Sequence, residues 1–258
     1  MSHSPRAVLA FGLAFGLGGC GDRLLTLGGQ DTDGDLDYLI SLDWLADDPR
    51  VLLIPLGGEK SYSLCSLPNR EARNSAVFAD DGRLYVANKE RSVIEELDPC
   101  GCTIREVGPH GGGTTILAPG PEGLLGVDVA QDSLVEIDTD TGWAELVGPL
   151  GTDFNNSGLA WLPRERRLIA VSGVHNSIFE IDRESGLAND LVALDTTLGT
   201  VGIEYHRSLE QVYVCSDDAV LYTLDLATGE LGVLPVITGH AGLCDNLAAP
   251  TVALPCVR

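Results

Sequence analysis

Short alternations of apolar and polar residues recur along this chain at a nearly constant spacing. Four segments share one pattern, in which apolar positions alternate with Glu or Thr and an Asp follows; they are 94–98, 134–138, 178–182 and 221–225. A second shared element starts 23 or 24 residues before each terminal Asp, at 75–78, 115–118, 158–161 and 202–205. Alternation with a period of two is the pattern of a β-strand that is buried on one side.

Each repeat contains two further apolar elements, one between these two and one after the Asp. Four short antiparallel strands in a unit of about 40–45 residues are typical of a propeller blade. An upstream copy has its elements at 41–44, 51–54 and 62–65, with Cys65 where the other copies have Asp. Only nine residues separate Cys65 from the next repeat, so we predict a short or missing fourth strand there.

The two ends of the chain complement each other. Residues 246–249 and 252–254 resemble first and second elements, and residues 24–27 and 36–40 resemble third and fourth elements. Together they would form one blade and leave no free sheet edge. We therefore predict an all-β protein, a β-propeller of six four-stranded blades closed by pairing of N- and C-terminal strands, with five or seven blades as alternatives. The alignment of the repeats places four aromatic residues at one position, and we interpret them as packing between blades: Trp44, Phe78, Trp161 and Tyr205.

The first twenty residues have the layout of an export signal. Thirteen uncharged residues at 7–19 follow Arg6, and this stretch is too short to span a membrane. The run Leu17-Gly-Gly-Cys20 resembles the bacterial lipobox, in which the Cys becomes the lipid-modified N-terminus after cleavage. We expect a signal peptide at 1–19 and a single propeller domain at 20–258, anchored to a bacterial membrane through Cys20 on the periplasmic face or the cell surface.

Composition narrows the class of partner. The 258 residues carry a formal charge of −22, and 44% of them are hydrophobic, which is enough for a sizeable core. Such an acidic surface repels phosphates, so nucleic acid and anionic membrane surfaces are poor partners. We expect a monomer that contacts the membrane only through its anchor and binds a protein or small ligand.

The cysteines indicate an oxidising compartment. Six remain when Cys20 is set aside, and an even number in an exported protein favours disulfides over metal binding. Cys244 and Cys256 lie symmetrically about Pro250, so we predict that they form a bridge across a C-terminal hairpin. A second bridge between Cys65 and either Cys100 or Cys102 stays open, and Cys215 is expected to be a buried free thiol.

Blade-like motifs resemble those of known families. The run 134–142, followed by Leu146-Val-Gly-Pro-Leu-Gly151 and Ser157-Gly-Leu-Ala-Trp161, is similar to the blades of extracellular bacterial repeat propellers. Residues 158–163 also resemble the six-bladed gluconolactonase and strictosidine-synthase-like propellers. The gluconolactonase resemblance implies a lactonase dependent on calcium or zinc, with metal ligands facing the central channel. The matching positions that carry suitable oxygens are Asn74, Asn156 and Asp245, and the equivalent positions in other repeats include apolar residues.

An acidic run precedes the first full repeat. Asp31, Asp33, Asp35 and Asp37 alternate in a way that resembles the calcium loops of integrin-type propellers and EF-hands. The Gly lies at the fourth loop position rather than the sixth, and acidic turn chemistry explains the run equally well. Calcium therefore stays an open alternative, and we expect no required cofactor.

No catalytic residue is assigned from the sequence. The histidines are scattered over different repeats, and their spacing indicates no pairing of a nucleophile with a base. We expect an exported, lipid-anchored binding or surface-scaffold module whose ligand the sequence does not name. The alternative is a metal-dependent lactonase or related hydrolase that uses the central channel.

Overall fold

The computed structural model describes residues 36–58 and 60–257, and the strands in this part of the chain form antiparallel sheets. The strands are β1 (Tyr38–Asp43), β2 (Arg50–Pro55), β3 (Tyr62–Ser66), β4 (Arg73–Phe78), β5 (Leu84–Asn88), β6 (Val93–Leu97), β7 (Ile104–Pro109), β8 (Thr114–Pro119), β9 (Leu124–Asp128), β10 (Ser133–Ile137), β11 (Ala144–Pro149), β12 (Ser157–Leu162), β13 (Arg167–Ser172), β14 (Ser177–Ile181), β15 (Ala188–Ala193), β16 (Gly202–His206), β17 (Gln211–Cys215), β18 (Val220–Leu224) and β19 (Leu231–Val236). None of the described residues belongs to a helix that is long and apolar enough to cross a membrane.

The sheets are the blades of a propeller. Blade 1 contains β1–β3, and blades 2, 3, 4 and 5 contain β4–β7, β8–β11, β12–β15 and β16–β19, each paired in chain order. The first strands of blades 2 to 5 pack against one another around the axis. We call the end of the propeller where these inner strands begin, at Arg73, Thr114, Ser157 and Gly202, the upper face.

The C-terminal segment 244–249 completes the ring between blades 5 and 1. The N–H of Gly202 donates to the carbonyl of Cys244, and Ile40 and Ala248 exchange two backbone hydrogen bonds of 2.8 and 2.9 Å in an antiparallel bridge. The segment thus runs alongside β16 and against β1, in the place of an inner strand. The β2–β3 pairing also contains a register shift like those between the third and fourth strands of the other blades. Strands β1–β3 are therefore the second, third and fourth strands of blade 1, and the C-terminus supplies the first.

The prediction of six blades was wrong, because the described chain forms five. Closure by the C-terminus does occur, but residues 246–249 complete the blade that contains 38–66 rather than a separate sixth blade. The sequence element at 41–44 is not a first element; residues 41–43 end a second strand. Residues 38–40 begin that strand and are not part of a fourth one. The predicted strand at 24–27 lies outside the described residues.

The core lies between adjacent blades, because the inner and middle strands are apolar on both sides. Strands β5, β9 and β12 are buried at every position, whereas the outer strands β7, β11 and β15 keep exposed charged residues. Phe78, Trp161 and Tyr205 pack in these interfaces, as expected. Trp44 does not share their position; it follows β1 at the upper face and is half-buried.

The turn between third and fourth strands explains the repeated Asp and Gly. The Asp138 carboxylate accepts hydrogen bonds from the N–H groups of Asp140 and Thr141, which caps the turn. Four residues after the Asp the backbone enters the left-handed region, with φ of 73° at Gly142. A Cβ on Gly142 would lie 2.5 Å from the carbonyl oxygen of Gly108 in the preceding blade, so glycine permits this contact between blades. Cys102 occupies the same turn position in blade 2 with φ of 54°.

Three disulfides connect neighbouring blades and the C-terminus. They join Cys65 to Cys102, Cys100 to Cys256 and Cys215 to Cys244, each with Cα atoms 5.6 Å apart. The predicted Cys244–Cys256 bridge is not formed, because the chain does not turn back as a hairpin at Pro250. Cys244 instead lies beside Cys215 in blade 5, while the tail continues to Cys100 in blade 2. Cys215 is accordingly bonded rather than a free thiol, and three disulfides indicate an oxidising environment.

Candidate functional site

The mouth of the axis on the upper face is formed where the C-terminal segment meets blades 1 and 2. The Asp245 carboxylate accepts hydrogen bonds from Asn246 Nδ2 at 2.7 Å, Asn74 Nδ2 at 3.0 Å and Trp44 Nε1 at 3.3 Å. Asn246 and Asp245 come from the closing segment, Trp44 from the end of β1 and Asn74 from the start of β4. The mouth therefore exists only when the ring is closed.

The Asp245 carboxyl titrates near neutrality. Burial raises its pKa to about 7, although the hydrogen bonds from Asn246, Trp44 and Asn74 favour the ionised form. Asn74 Oδ1 is buried and has no hydrogen-bond partner within the described part of the chain. The mouth thus contains an acid that exchanges its proton near pH 7, next to a half-buried indole.

The structure brings together a serine, a histidine and an aspartate that the sequence separates widely. Ser41 Oγ lies 3.3 Å from His240 Nε2, and His240 Nδ1 lies 3.7 Å from Asp43 Oδ1. Burial lowers the pKa of His240, an effect that the charge of Asp43 opposes. Sequence spacing gave no sign of this grouping, because His240 reaches β1 only through ring closure.

This Ser–His–Asp cluster supports the closure rather than catalysis. Ser41 and Asp43 are completely buried, and the Ser41 hydroxyl also donates to the carbonyl of Asn246 at 3.0 Å. Asp43 accepts hydrogen bonds from Arg50 and from the N–H of Ala241. A nucleophile in acyl transfer must reach its substrate, and this hydroxyl faces protein instead.

A buried ion network holds the start of blade 2. Arg73 Nε donates to Glu95 at 2.7 Å, and both side chains are almost wholly buried. Glu71 and Asn88 complete the network, with Asn88 Nδ2 donating to Glu95 at 3.0 Å. Buried charges that are paired and hydrogen-bonded in this way fix the position of a strand, so we assign the network a structural role.

The described residues enclose a small cavity on the axis, between the upper ends of the inner strands. The cavity between the inner strands has a volume of about 10 Å³ and is lined by residues of blades 2 to 5 and of the closing segment, including Asn74, Ser157, Asp245 and Asn246. A volume of this size corresponds to about one water molecule.

The residues that the structure describes form two larger grooves on the lower face. One, of about 590 Å³, is formed by blade 3 and lined by residues that include Glu122, Gly123, Glu136, Trp143 and Glu145. The other, of about 510 Å³, lies at the equivalent place on blade 5 and includes Glu165, Glu210, Asp225 and Glu230. Both volumes fall in the range of small-ligand pockets.

The predicted metal ligands are only partly assembled. Asn74 and Asp245 are hydrogen-bonded to each other, whereas Asn156 is exposed on the loop before β12 and bonds to neither of them. Asp37 is exposed just before β1, and Asp31, Asp33 and Asp35 lie outside the described residues, as does Cys20. Within 36–58 and 60–257, no group of three His, Cys, Asp or Glu side chains is arranged to hold a metal.

Sequence reasoning missed Trp44 and Asn246 as members of the mouth. A shift of one strand in the alignment of blade 1 placed Trp44 among the packing aromatics. Cys65, which that alignment placed at the repeated Asp position, lies instead in β3, the fourth strand of blade 1.

The sheets and the closing bridge define a five-bladed β-propeller closed by its C-terminal segment. No protein-family model and no curated protein sequence matches this chain. Among solved structures, a protein of unknown function from Bacteroides thetaiotaomicron is 15% identical with a TM-score of 0.56, over 76% of this chain and 55% of that one. Virginiamycin B lyase from Staphylococcus aureus is also 15% identical, with a TM-score of 0.49 over 81% of this chain and 73% of its own. The chain thus spans just over half the length of the first structure, and that likeness shows the propeller fold alone.

Proposed function

We propose that this protein is an exported, lipid-anchored binding module that engages its partner on the outer surface of the propeller. The observation that carries this proposal is the contrast in free volume, about 10 Å³ on the axis against about 510 and 590 Å³ in the lower grooves. The closing segment, which the Cys215–Cys244 disulfide attaches to blade 5, lines the small axial cavity, whereas the two lower grooves are far larger.

The N-terminal sequence and the disulfides support export and anchoring. Cys20 follows a hydrophobic stretch that is too short to span a membrane, and several acyl chains on it would hold the protein stably at a bilayer. The three disulfides are consistent with an exported protein.

Cell fractionation tests the anchor. Cys20→Ala should move the protein from the detergent phase to the soluble exported fraction, while the control Ser4→Ala should leave it in the detergent phase. Detergent partitioning that is unchanged by Cys20→Ala would contradict the anchor.

An activity measurement tests the binding function against the lactonase alternative. Purified protein supplied with calcium or zinc should not accelerate hydrolysis of a panel of lactones. Metal-dependent turnover that disappears in Asn74→Ala and Asp245→Asn would overturn the proposed function, because those residues lie at the mouth of the axis.

A further inference from the structure

We propose that the groove beneath blade 3 binds the guanidinium group of an arginine side chain presented by a partner protein. The blade 3 groove is the 590 Å³ groove that Gly123, Glu136, Trp143 and Glu145 help to line. This inference rests on the proposed binding function and names the chemistry of the partner.

The first observation is that equivalent positions in the two flanking blades each contain an arginine paired with a glutamate. In blade 2, Arg83 precedes β5 and its guanidinium lies 3.5 Å from Glu96 on β6. In blade 4, Arg167 at the start of β13 lies 2.8 Å from Glu180 on β14. The paired registers Tyr85↔Glu96, Leu125↔Glu136 and Ile169↔Glu180 make Glu136 the equivalent glutamate of blade 3.

Blade 3 keeps this glutamate but lacks the arginine. Gly123 occupies the position that Arg83 has in blade 2. The two residues are equivalent because the Arg83 carbonyl accepts a hydrogen bond from the Ala79 N–H, and the Gly123 carbonyl accepts the matching one from the Gly120 N–H. The residue directly across from Glu136 on β11 is Glu145, where blade 2 has Arg105 across from Glu96. No salt bridge to Glu136 or Glu145 occurs in the part of the chain that the structure describes.

Two like charges directly opposite each other destabilise a sheet. The facing pair Glu136 and Glu145 therefore lowers stability. In both neighbouring blades the glutamate equivalent to Glu136 is paired with an arginine, so we infer that blade 3 receives its cation from outside. The pair Glu136 and Glu145 presents two carboxylates to that cation.

The second observation concerns the aromatic wall of the groove. Trp143 is 60% exposed and lines the groove beside these carboxylates. Elsewhere in the same molecule, the guanidinium of Arg183 lies 4.8 Å from the centre of the Trp161 ring. The N–H groups at the edge of a guanidinium donate hydrogen bonds to carboxylates, and its flat face stacks on an aromatic ring. Carboxylates beside an indole therefore favour arginine over lysine. The groove thus offers both kinds of contact that arginines make within this protein.

A peptide titration tests the inference. The detergent-purified protein is titrated with acetyl-Gly-Arg-Gly-amide, and binding is followed by tryptophan fluorescence. We expect a saturable change, at least about tenfold weaker binding of the lysine peptide, and no response to the uncharged citrulline peptide. A Trp143→Phe variant should lose the signal, since the other two tryptophans lie outside the groove.

Glu145→Arg is the decisive variant, because it reproduces the Glu96–Arg105 pair, in which the guanidinium lies 2.5 Å from the carboxylate. It should leave the unfolding midpoint unchanged or slightly raised and abolish peptide binding. Asp190→Arg on β15 makes the same change in charge outside the groove and should retain binding. An equal response to the citrulline peptide, or binding that survives in Glu145→Arg, would overturn the inference.

The same titration on Arg23→Ala tests whether Arg23 of this chain occupies the groove. Stronger peptide binding by that variant would show that it does and would refute the proposal of a partner's arginine. If the protein does not bind the arginine peptide, but its anchoring depends on Cys20 and it hydrolyses no lactone, this inference is wrong and the proposed function still stands. Metal-dependent turnover would instead remove the proposed function.

Discussion

The side-chain amide of Asn246 pairs with the backbone of Leu42 as a strand would. Its Oδ1 accepts the Leu42 N–H at 2.5 Å, and its Nδ2 donates to the Leu42 carbonyl at 3.1 Å. The same Nδ2 reaches Asp245 at 2.7 Å. One residue therefore connects ring closure to the mouth of the axis.

Asn246→Ala should destabilise the protein by about 1–3 kcal/mol, because it leaves a buried N–H and a buried carbonyl of Leu42 without partners. Urea unfolding measures the loss. The control Asn189→Ala, at an exposed position on β15, should change stability little. A loss no larger than that of the control would mean that Asn246 does not hold the closure.

Stability should fall as the pH rises from about 4.5 to about 8, because of Glu204. Burial raises the pKa of this carboxyl to about 8, despite hydrogen bonds from the N–H groups of Tyr205 and Ala249 and the charge of Arg207. Between the two pKa values the unfolded chain has released the proton and the folded chain retains it, so rising pH favours unfolding. Each unit of pKa difference corresponds to about 1.4 kcal/mol, which makes the total several kcal/mol.

Glu204→Gln should remove the part of this slope between about pH 7 and pH 8 and raise the free energy of unfolding at pH 8, because Asp245, whose pKa burial raises to about 7, contributes a slope of its own only below pH 7. Unfolding curves recorded at several pH values compare it with Glu165→Gln, an exposed control on the β12–β13 turn. A wild-type slope that persists above about pH 7 in Glu204→Gln would assign the effect to another group.

Ionisation of Asp245 should change the fluorescence of Trp44, whose Nε1 donates to this carboxylate. Burial raises the pKa of Asp245 to about 7, so the transition should be centred near pH 7. The measurement is a pH titration of tryptophan emission, and Asp245→Asn should abolish the transition. Trp143→Phe serves as the control and should retain it, since Trp143 lies in the lower groove.

The Cys65–Cys102 bridge replaces the glycine contact that joins other blades. Cys102 has a left-handed backbone, as do Gly142 and Gly186 at the same turn position. Removing the bridge should cost about 4 kcal/mol for its separation of 37 residues. Two double variants, Cys65→Ala with Cys102→Gly and Cys65→Ala with Cys102→Ala, then test the turn. The glycine variant should be about 1 kcal/mol more stable, because glycine adopts the positive φ of position 102 without strain.

Chemical denaturation measures that difference. Ala193→Gly on β15, where the backbone is extended, should have the opposite sign and lower stability. Equal stability of the two Cys102 variants would show that the turn relaxes once the bridge is absent.

The repeating unit can be predicted from the sequence alone, because its signals are local. Alternation of apolar residues along β10 and β14, and the Asp138 to Gly142 turn, depend on neighbours within one blade. These features predicted a propeller and the strands of blades 2 to 5.

Ring closure, the pairing of the cysteines and the composition of the mouth depend on contacts between distant parts of the chain. A shift by one whole strand preserves the alternation, so no local pattern could distinguish a second strand at β1 from a first one. The partner that settles the question, Ala248, is more than 200 residues away. Cys215 and Trp44 acquire their neighbours through that one distant contact, because the closing segment brings Cys244 and Asp245 between blades 5 and 1.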